Sequence, residues 1–300
     1  MTPTTSKPSK KADSIPTGFL EGEWVPQNQM MISVQDGGFR QGATAVERLR
    51  TYGQVMFAVE DHLHRWQHST SEMGIAGLPA LPEIAALLRE LLSRNQSLLD
   101  SEGELGITMF ASTGTAESGS ATFGMHINRL NLERIQQRQD SGQPLVITRI
   151  QQPSPLCWPR TIKVRSRLHY HLADQAAQKK DATASGVLLD DDGTITETSI
   201  SNIAIVNADK ILSPPRNRVL RGITQSFVEQ LAQELQIDWA NSPISTDDLM
   251  TADEVLLMGT DGGLWFANRV NGTAIGNGKA QPMYQSLQNQ FRSHLDTKNS

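Results

Sequence analysis

Apolar positions along the chain switch repeatedly between the two periods that separate helices from strands. Ile84, Leu87, Leu88, Leu91 and Leu92 recur at helical spacing, and Pro82 suits a first turn, so residues 82–99 read as a helix. Residues 61–73 read as another. Ala45, Val46 and Leu49 fall on one helical face, which makes 42–52 a third. Short apolar runs predict strands at 31–34, 54–59, 105–112, 121–127 and 145–150. Further on, helices are expected over 167–180, 222–235 and 282–294, and strands over 203–206 and 255–258. Gly186-Val-Leu-Leu-Asp190, the turn Asp191-Asp192-Gly193 and Thr194-Ile-Thr-Glu197 together read as a β-hairpin. Helices and strands interleaved in this way predict a mixed α/β (α+β) protein.

Composition adds a division of the chain. Gln151 to Arg160 holds three prolines in ten residues, the mark of an inter-domain linker. It separates an N-terminal α/β domain, 17–150, from a larger C-terminal domain, 161–300. Met1 to Pro16 is rich in Ser, Thr, Lys and Pro and lacks the apolar core of a secretory signal, so it is expected to be a disordered tail. With 300 residues, 38% hydrophobic and 20% charged, the chain can bury a sizeable core in water. A net charge of −5 gives no basic footprint for nucleic acid, and no apolar run is long enough to span a bilayer. The single cysteine, Cys157, excludes an intrachain disulfide and fits a reducing cytoplasm. It lies among the linker prolines, with no helix start beside it to activate the thiol.

Three weak motifs are better read as structure. His64 and His68 share a helix face, but no glutamate makes the zinc-protease pattern and no third ligand is near. Asp190-Asp191-Asp192-Gly193 begins like a calcium loop, yet the later ligands are missing and strand-like sequence flanks it. Gly276-Asn277-Gly278-Lys279 lacks the first glycine and the final hydroxyl of a phosphate loop.

A longer constellation carries chemistry. Asp36-Gly-Gly-Phe-Arg-Gln-Gly42, Glu47 and His62-Leu-His-Arg65 come first. Ile162-Lys163 follows the linker, with Ala173, Ala176 and Ala177 on the helix after it. Then come Asp192-Gly193, Glu197 and Asn202, the segment Leu220-Arg-Gly-Ile-Thr224, and finally Gly259-Thr260 and Val270-Asn-Gly272. In this order and spacing the pieces resemble the class IV aminotransferase family, the enzymes of pyridoxal-5′-phosphate (PLP) fold type IV. That family embraces branched-chain and D-amino acid aminotransferases and aminodeoxychorismate lyases. The resemblance covers about residues 20 to 292.

It implies two α/β domains with PLP between them, and a homodimer. Lys163 would hold the cofactor as a Schiff base and then shuttle the substrate's α-proton. Glu197 would meet the pyridine nitrogen and keep it protonated. Arg65 would pair with the phosphate. Leu220, Ile223 and Thr224 would cradle that phosphate at a helix start, with Thr260 as a further contact. The substrates would be an amino acid and a 2-oxo acid.

The substrate side departs from the named subgroups. Arg167-Leu168 stands where branched-chain enzymes carry Asn-Tyr, and looks more like the lyase branch. Ser112 to Glu117 offers neither the arginine nor the histidine of D-amino acid aminotransferases. Val46 and Arg48 replace the aromatic and small residues that usually flank the glutamate. Arg48, Arg167 and Arg40 are therefore the candidates for a carboxylate anchor. Two alternatives to amino transfer follow: elimination of pyruvate from aminodeoxychorismate, and a non-catalytic homologue of the fold.

Overall fold

The computed structural model describes residues 15–299, with side chains to residue 296. Most of the expected N-terminal tail, residues 1–14, lies outside the described residues. The chain opens with β1 (Thr17–Leu20), β2 (Glu23–Pro26), α1 (Gly37–Gln41), β3 (Thr44–Tyr52) and β4 (Val55–Met56). It continues through α2 (Val59–Glu72), α3 (Leu81–Arg94), α4 (Gln96–Glu102), β5 (Leu105–Ser112), β6 (Thr122–Arg129), α5 (Leu132–Ser141) and β7 (Gln143–Gln151). After the proline-rich stretch come α6 (Leu168–Gln178), β8 (Ser185–Leu189), β9 (Asn202–Asn207), β10 (Lys210–Ser213), α7 (Ile223–Glu234) and β11 (Trp239–Asn241). The last elements are α8 (Thr246–Thr251), β12 (Glu254–Gly259), β13 (Gly263–Val270), β14 (Thr273–Ala274) and α9 (Pro282–Asn299).

Two sheets organise these elements. The first is antiparallel throughout, ordered β2-β1-β6-β5-β3-β4. The second runs β11-β10-β9-β12-β13-β7-β8, with β14 added to β13 and parallel pairs at β13/β7, β7/β8 and β10/β11. Helix α3 is amphipathic: Ile84, Leu88, Leu91 and Leu92 bury on one core with Trp66 of α2 and Leu49, Ile107 and Met125 of the first sheet. The second sheet buries one face on Val187, Ile203, Leu257 and Trp265, and the other on α7 and α9 through Val228, Leu231 and Leu287. This mixed α/β architecture agrees with the reading of the sequence.

Several elements differ from it. Residues 42–52 form a strand, not a helix. Ala45, Leu49 and Thr51 alternate with period two and are fully buried, but the charged Glu47 sits on the same face and hides the alternation. Residues 31–34 form no strand; Met31 and Val34 are among the most exposed apolar residues described. The strand at 54–59 shrinks to β4, because Ala58 turns left-handed (φ 47°) and α2 starts at Val59. The helix over 82–99 breaks at Asn95, whose side chain holds the backbone of Thr17 and the carbonyl of Leu91. The hairpin forms, with backbone bonds from Leu188 to Glu197 and from Asp190 to Thr194, but only its first arm is a regular strand. Strand β7, placed by sequence in the N-terminal unit, belongs to the second sheet.

A buried ion pair ties the proline-rich stretch to the hairpin. Arg160 donates to Asp190 at 2.8 Å, to the carbonyl of Pro153 at 2.9 Å and to that of Arg218 at 3.2 Å. Asp190 also faces Arg218, and Asp192 bonds Arg218 and Thr194. Two of the three clustered aspartates, Asp190 and Asp192, are thus partnered by arginines, as a turn would be. Removing one member of a buried pair strands the other charge. Arg160→Ala should therefore cost about 3 kcal/mol, read as a lower urea midpoint at unchanged slope. Arg160→Met combined with Asp190→Asn should recover part of it, because no buried charge is left unpaired. A loss below about 1 kcal/mol for the single change would mean that the pair does not hold the stretch in place.

Candidate active site

Lys163 lies in a stretch that is neither helix nor named strand, and neighbouring backbone fixes it. The Val46 amide of β3 donates to the Lys163 carbonyl at 3.0 Å, and the Arg165 amide donates to the Thr44 carbonyl at 2.9 Å. The Lys163 amide donates to Ser69 Oγ of α2 at 3.0 Å, and Ser166 Oγ to the Gly42 carbonyl at 2.8 Å. The residue keeps some surface toward a cavity, but protein surrounds its amine. Burial, and then the Arg65 guanidinium, bring the amine's pKa down to about 8; Glu47 and Glu197 pull the other way.

Glu197 ends the hairpin, fully enclosed by four donors. Oε1 accepts from Tyr170 Oη at 2.5 Å and Gln152 Nε2 at 3.0 Å. Oε2 accepts from Asn202 Nδ2 at 3.0 Å and the Leu220 amide at 3.3 Å. Burial pushes this carboxyl above its usual range despite those bonds. Asn202 Nδ2 also donates to the Leu220 carbonyl at 2.9 Å. Gly222 must be glycine here: a Cβ would stand 1.9 Å from Asn202 Oδ1.

Arg65 reaches the same cavity from α2. Its guanidinium grips buried Glu47 at 2.6 and 3.0 Å and donates to the Arg221 carbonyl at 2.8 Å. The His62 ring meets Glu47 Oε1 at 2.9 Å. Burial alone would raise the Glu47 pKa, but Arg65 and His62 outweigh it and hold the carboxyl well below its usual range. Burial keeps His62 below its own, so the ring is neutral at neutral pH. Opposite Arg65, α7 begins at Ile223 with buried Thr224 in its first turn. Free amides at a helix start attract anions.

One cavity collects Arg65, Lys163, Glu197, Leu220, Ile223, Thr224 and Thr260. Arg167 lines it too, but donates to the Ser199 carbonyl and stacks on Tyr170, its guanidinium carbon 4.4 Å from the ring centre. Arg48 lies outside it, in an adjoining cleft that Lys163, Arg167 and Thr260 share. Arg48 binds Asp261 at 2.7 and 2.9 Å and Thr108 at 3.0 Å. Exposed Arg40 on α1 lines neither space.

A family model described as amino-transferase class IV matches residues 44–270. The chain belongs to the class IV aminotransferase family. Amino transfer is the activity that this family and its named relatives support. Branched-chain-amino-acid aminotransferase-like protein 2 of Arabidopsis thaliana is 28% identical over 288 residues, which are 93% of this chain and 50% of that protein. The chain thus spans about half the length of that relative. D-alanine aminotransferase of Bacillus licheniformis is 24% identical over 280 residues, 92% of this chain and 96% of that protein. The fold is type IV. The branched-chain amino acid aminotransferase of Escherichia coli superimposes with a TM-score of 0.86 at 21% identity, over 93% of this chain and 94% of that one. The branched-chain enzyme of Thermoproteus uzoniensis, solved with norvaline, gives 0.84 at 19% identity, over 93% of this chain and 94% of that one. A further branched-chain aminotransferase, complexed with N-(5′-phosphopyridoxyl)-L-glutamate, gives 0.85 at 21% identity, over 94% of both chains.

Within this class IV site, sequence reasoning missed Tyr170, Gln152 and the pairing of Glu47 with Arg65. Glu47, His62 and Asn202 stood in the family motifs without a role. Tyr170 left no signal, since a tyrosine on an amphipathic helix is ordinary. In the cofactor-free protein, the Lys163 amine should titrate near pH 8, not 10.5, read from the pH dependence of its labelling by an amine-selective reagent. Glu47→Gln removes a negative charge and should move that midpoint lower. A midpoint near 10 in the wild-type protein would show that the amine is solvated instead.

Proposed function

We propose that the chain is a PLP-dependent aminotransferase, moving an amino group between an amino acid and a 2-oxo acid, with Lys163 as catalytic residue. One observation carries this reading: an amine of lowered pKa shares a cavity with a buried carboxylate, an arginine and a helix start. The donor set fits PLP. Glu197 offers an acceptor for a ring N–H, Arg65 and the first turn of α7 offer donors for a phosphate, and Gly222 leaves room beside Asn202. When bound, PLP supplies an aldehyde for the lysine amine and an electron-withdrawing ring that acidifies a substrate's α-C–H.

Each residue then has a definite task. Lys163 is the nucleophile and afterwards carries the α-proton; an amine with a pKa lowered to about 8 can gain and lose a proton for both tasks. Glu197, prevented by four donors from turning, orients the ring and favours a proton on its nitrogen. Tyr170, Gln152 and Asn202 position that carboxylate. Glu47 and His62 hold Arg65 toward the phosphate. Thr224, Ile223, Leu220 and Thr260 complete the phosphate side. The two sheets serve as two domains, and the boundary between them falls before β7. The Arg167-Leu168 pair is the feature that favours the lyase alternative. The intact lysine, carboxylate and anion cradle stand against a non-catalytic homologue.

Homodimerisation belongs to this proposal. Met31, Val34 and Phe39 are 82%, 66% and 74% exposed within one nine-residue stretch, apolar side chains that an interface with a second copy would cover. Phe39→Asp should shift sedimentation from dimer toward monomer; an unchanged dimer would remove this stretch from the interface.

Borohydride treatment of protein incubated with PLP should fix a pyridoxyl group on the peptide containing Lys163. Lys163→Ala should abolish that adduct and lower transfer at least roughly 1,000-fold, the scale expected for loss of a covalent catalyst. Retention of the adduct on another residue would overturn the assignment. Pyruvate release from aminodeoxychorismate without amino transfer would favour the lyase.

A further inference from the structure

Glu197 has every acceptor site filled by the protein's own donors. A carboxylate offers about four lone-pair sites, and Tyr170, Gln152, Asn202 and the Leu220 amide take one each. The donors divide by side. Asn202 and Leu220 line the cofactor cavity and hold Oε2 at 3.0 and 3.3 Å. Gln152 lies outside that cavity and, with Tyr170, holds Oε1 from a smaller space that Lys163 and Glu197 also line. A ring N–H that comes to Glu197 must replace one of the four, and the Leu220 amide makes the longest bond. Oε1 then keeps both of its donors.

Tyr170 is the strongest of the four. Its O–H meets Oε1 at 2.5 Å, in the range of a hydroxyl bonded to an ionised carboxylate. Its oxygen in turn accepts from Gln152 Nε2 at 3.3 Å. Arg167, at the edge of the arginine-lined cleft it shares with Arg48, Arg134, Arg138 and Arg165, has its guanidinium carbon 4.4 Å from the Tyr170 ring centre. The His169 ring lies 4.1 Å from it. Burial and Glu197 hold the phenol's pKa well above its usual value, so it stays a donor at neutral pH. Burial raises the Glu197 carboxyl, and the Tyr170 bond is the largest influence against it, ahead of the Leu220 amide, Lys163 and Arg167. Arg160 also lines the smaller space, but it is committed to Asp190.

We infer that the Tyr170 hydroxyl keeps Glu197 ionised in its buried place, and thereby puts the proton shared between Glu197 and the PLP ring nitrogen on the ring. Tyr170 is a positioning residue for that proton, acting through Glu197. The inference rests on the PLP reading and deepens it by naming what fixes the charge of the ring. Without the phenol, burial prevails, the carboxyl takes the proton, and the ring withdraws electrons less strongly. A carboxylate that loses a hydrogen bond to its charged form has a higher pKa, so its ionised state disappears sooner as pH falls.

Tyr170→Phe keeps the aromatic ring and removes only the hydroxyl. In the cofactor-free chain, the infrared band of protonated Glu197 is identified by its absence from Glu197→Gln. Its pH midpoint should lie about one to two units higher in Tyr170→Phe than in the wild type, the scale of one charge-assisted hydrogen bond. Gln152→Leu removes a longer amide bond from the same oxygen and should move the midpoint less. A ring-fluorinated tyrosine at position 170, a stronger donor, should move it down. In the holoenzyme, PLP labelled at its ring nitrogen and read by nitrogen NMR should be protonated at neutral pH. In Tyr170→Phe that signal should move toward the unprotonated position, and the acid limb of kcat should rise by the same one to two units or so. An unmoved carboxyl midpoint, an effect of Gln152→Leu as large as that of Tyr170→Phe, or a ring nitrogen that keeps its full protonated signal in Tyr170→Phe would overturn the assignment. Should borohydride fix no pyridoxyl group on Lys163, the PLP reading fails, and the carboxyl titration still decides whether Tyr170 keeps Glu197 ionised.

Discussion

The short backbone seam between β3 and residues 163–165 is the constraint on which the site depends. Lys163 lies outside any helix or regular strand, so nothing local fixes its direction. Two backbone bonds to β3 and one to Ser69 supply that fixing. They also join the first sheet to the segment that leads into α6 and the second sheet. The cavity therefore forms where the two sheets meet, and its geometry follows from peptide groups on both sides. Backbone pairing of this kind tolerates many side chains, which leaves residues such as Val164 free to vary in character without moving the lysine.

Two buried carboxylates then acquire opposite properties from their surroundings. Glu47 faces Arg65 and His62, and its pKa falls. Glu197 faces mainly neutral donors, and burial raises its pKa. The first is a permanent anion that holds an arginine in place. The second is held closer to its neutral form by burial. Environments that push two like groups apart divide labour between them. Lys163 stands between the two acids and takes part of its own poise from each.

The sequence made much of this legible, for identifiable reasons. Helices with a clean 3.6 period, such as α3, were readable because one face alone carries the apolar residues. The cofactor side was readable because Lys163, Glu197 and Gly222 to Thr224 stand in ordered motifs. What stayed hidden depends on contacts between distant segments. β13 reads poorly because asparagine and arginine interrupt its apolar run, and α5 buries no residue completely. Gln152 meets Glu197 across 45 positions, a pairing that no local pattern encodes. Arg160, in the proline-rich stretch, reads as a linker residue, yet it is buried against Asp190.

The misread period of β3 explains why the substrate side was the least legible. As a helix, residues 42–52 would set Arg48 beside residues 44, 45, 51 and 52. As a strand, Arg48 shares a face with Val46 and Arg50 and stands opposite Thr108 of β5, which itself stands opposite His126 of β6. That row of the first sheet forms one wall of the arginine-lined cleft, and the other side of β3 carries Glu47 toward Arg65. One strand thus faces Arg65 with Glu47 on its odd-numbered side and the arginine-lined cleft with Val46 and Arg48 on its even-numbered side. A shift of register by a single residue would exchange those two faces and lose both sites at once. The seam at Lys163 and the pairing of β3 with β5 hold against such a shift from opposite edges of the same strand. The surroundings of Lys163 and the charge of the arginine-lined cleft are therefore coupled through β3 as well as through Lys163, Arg167 and Thr260, which line both spaces.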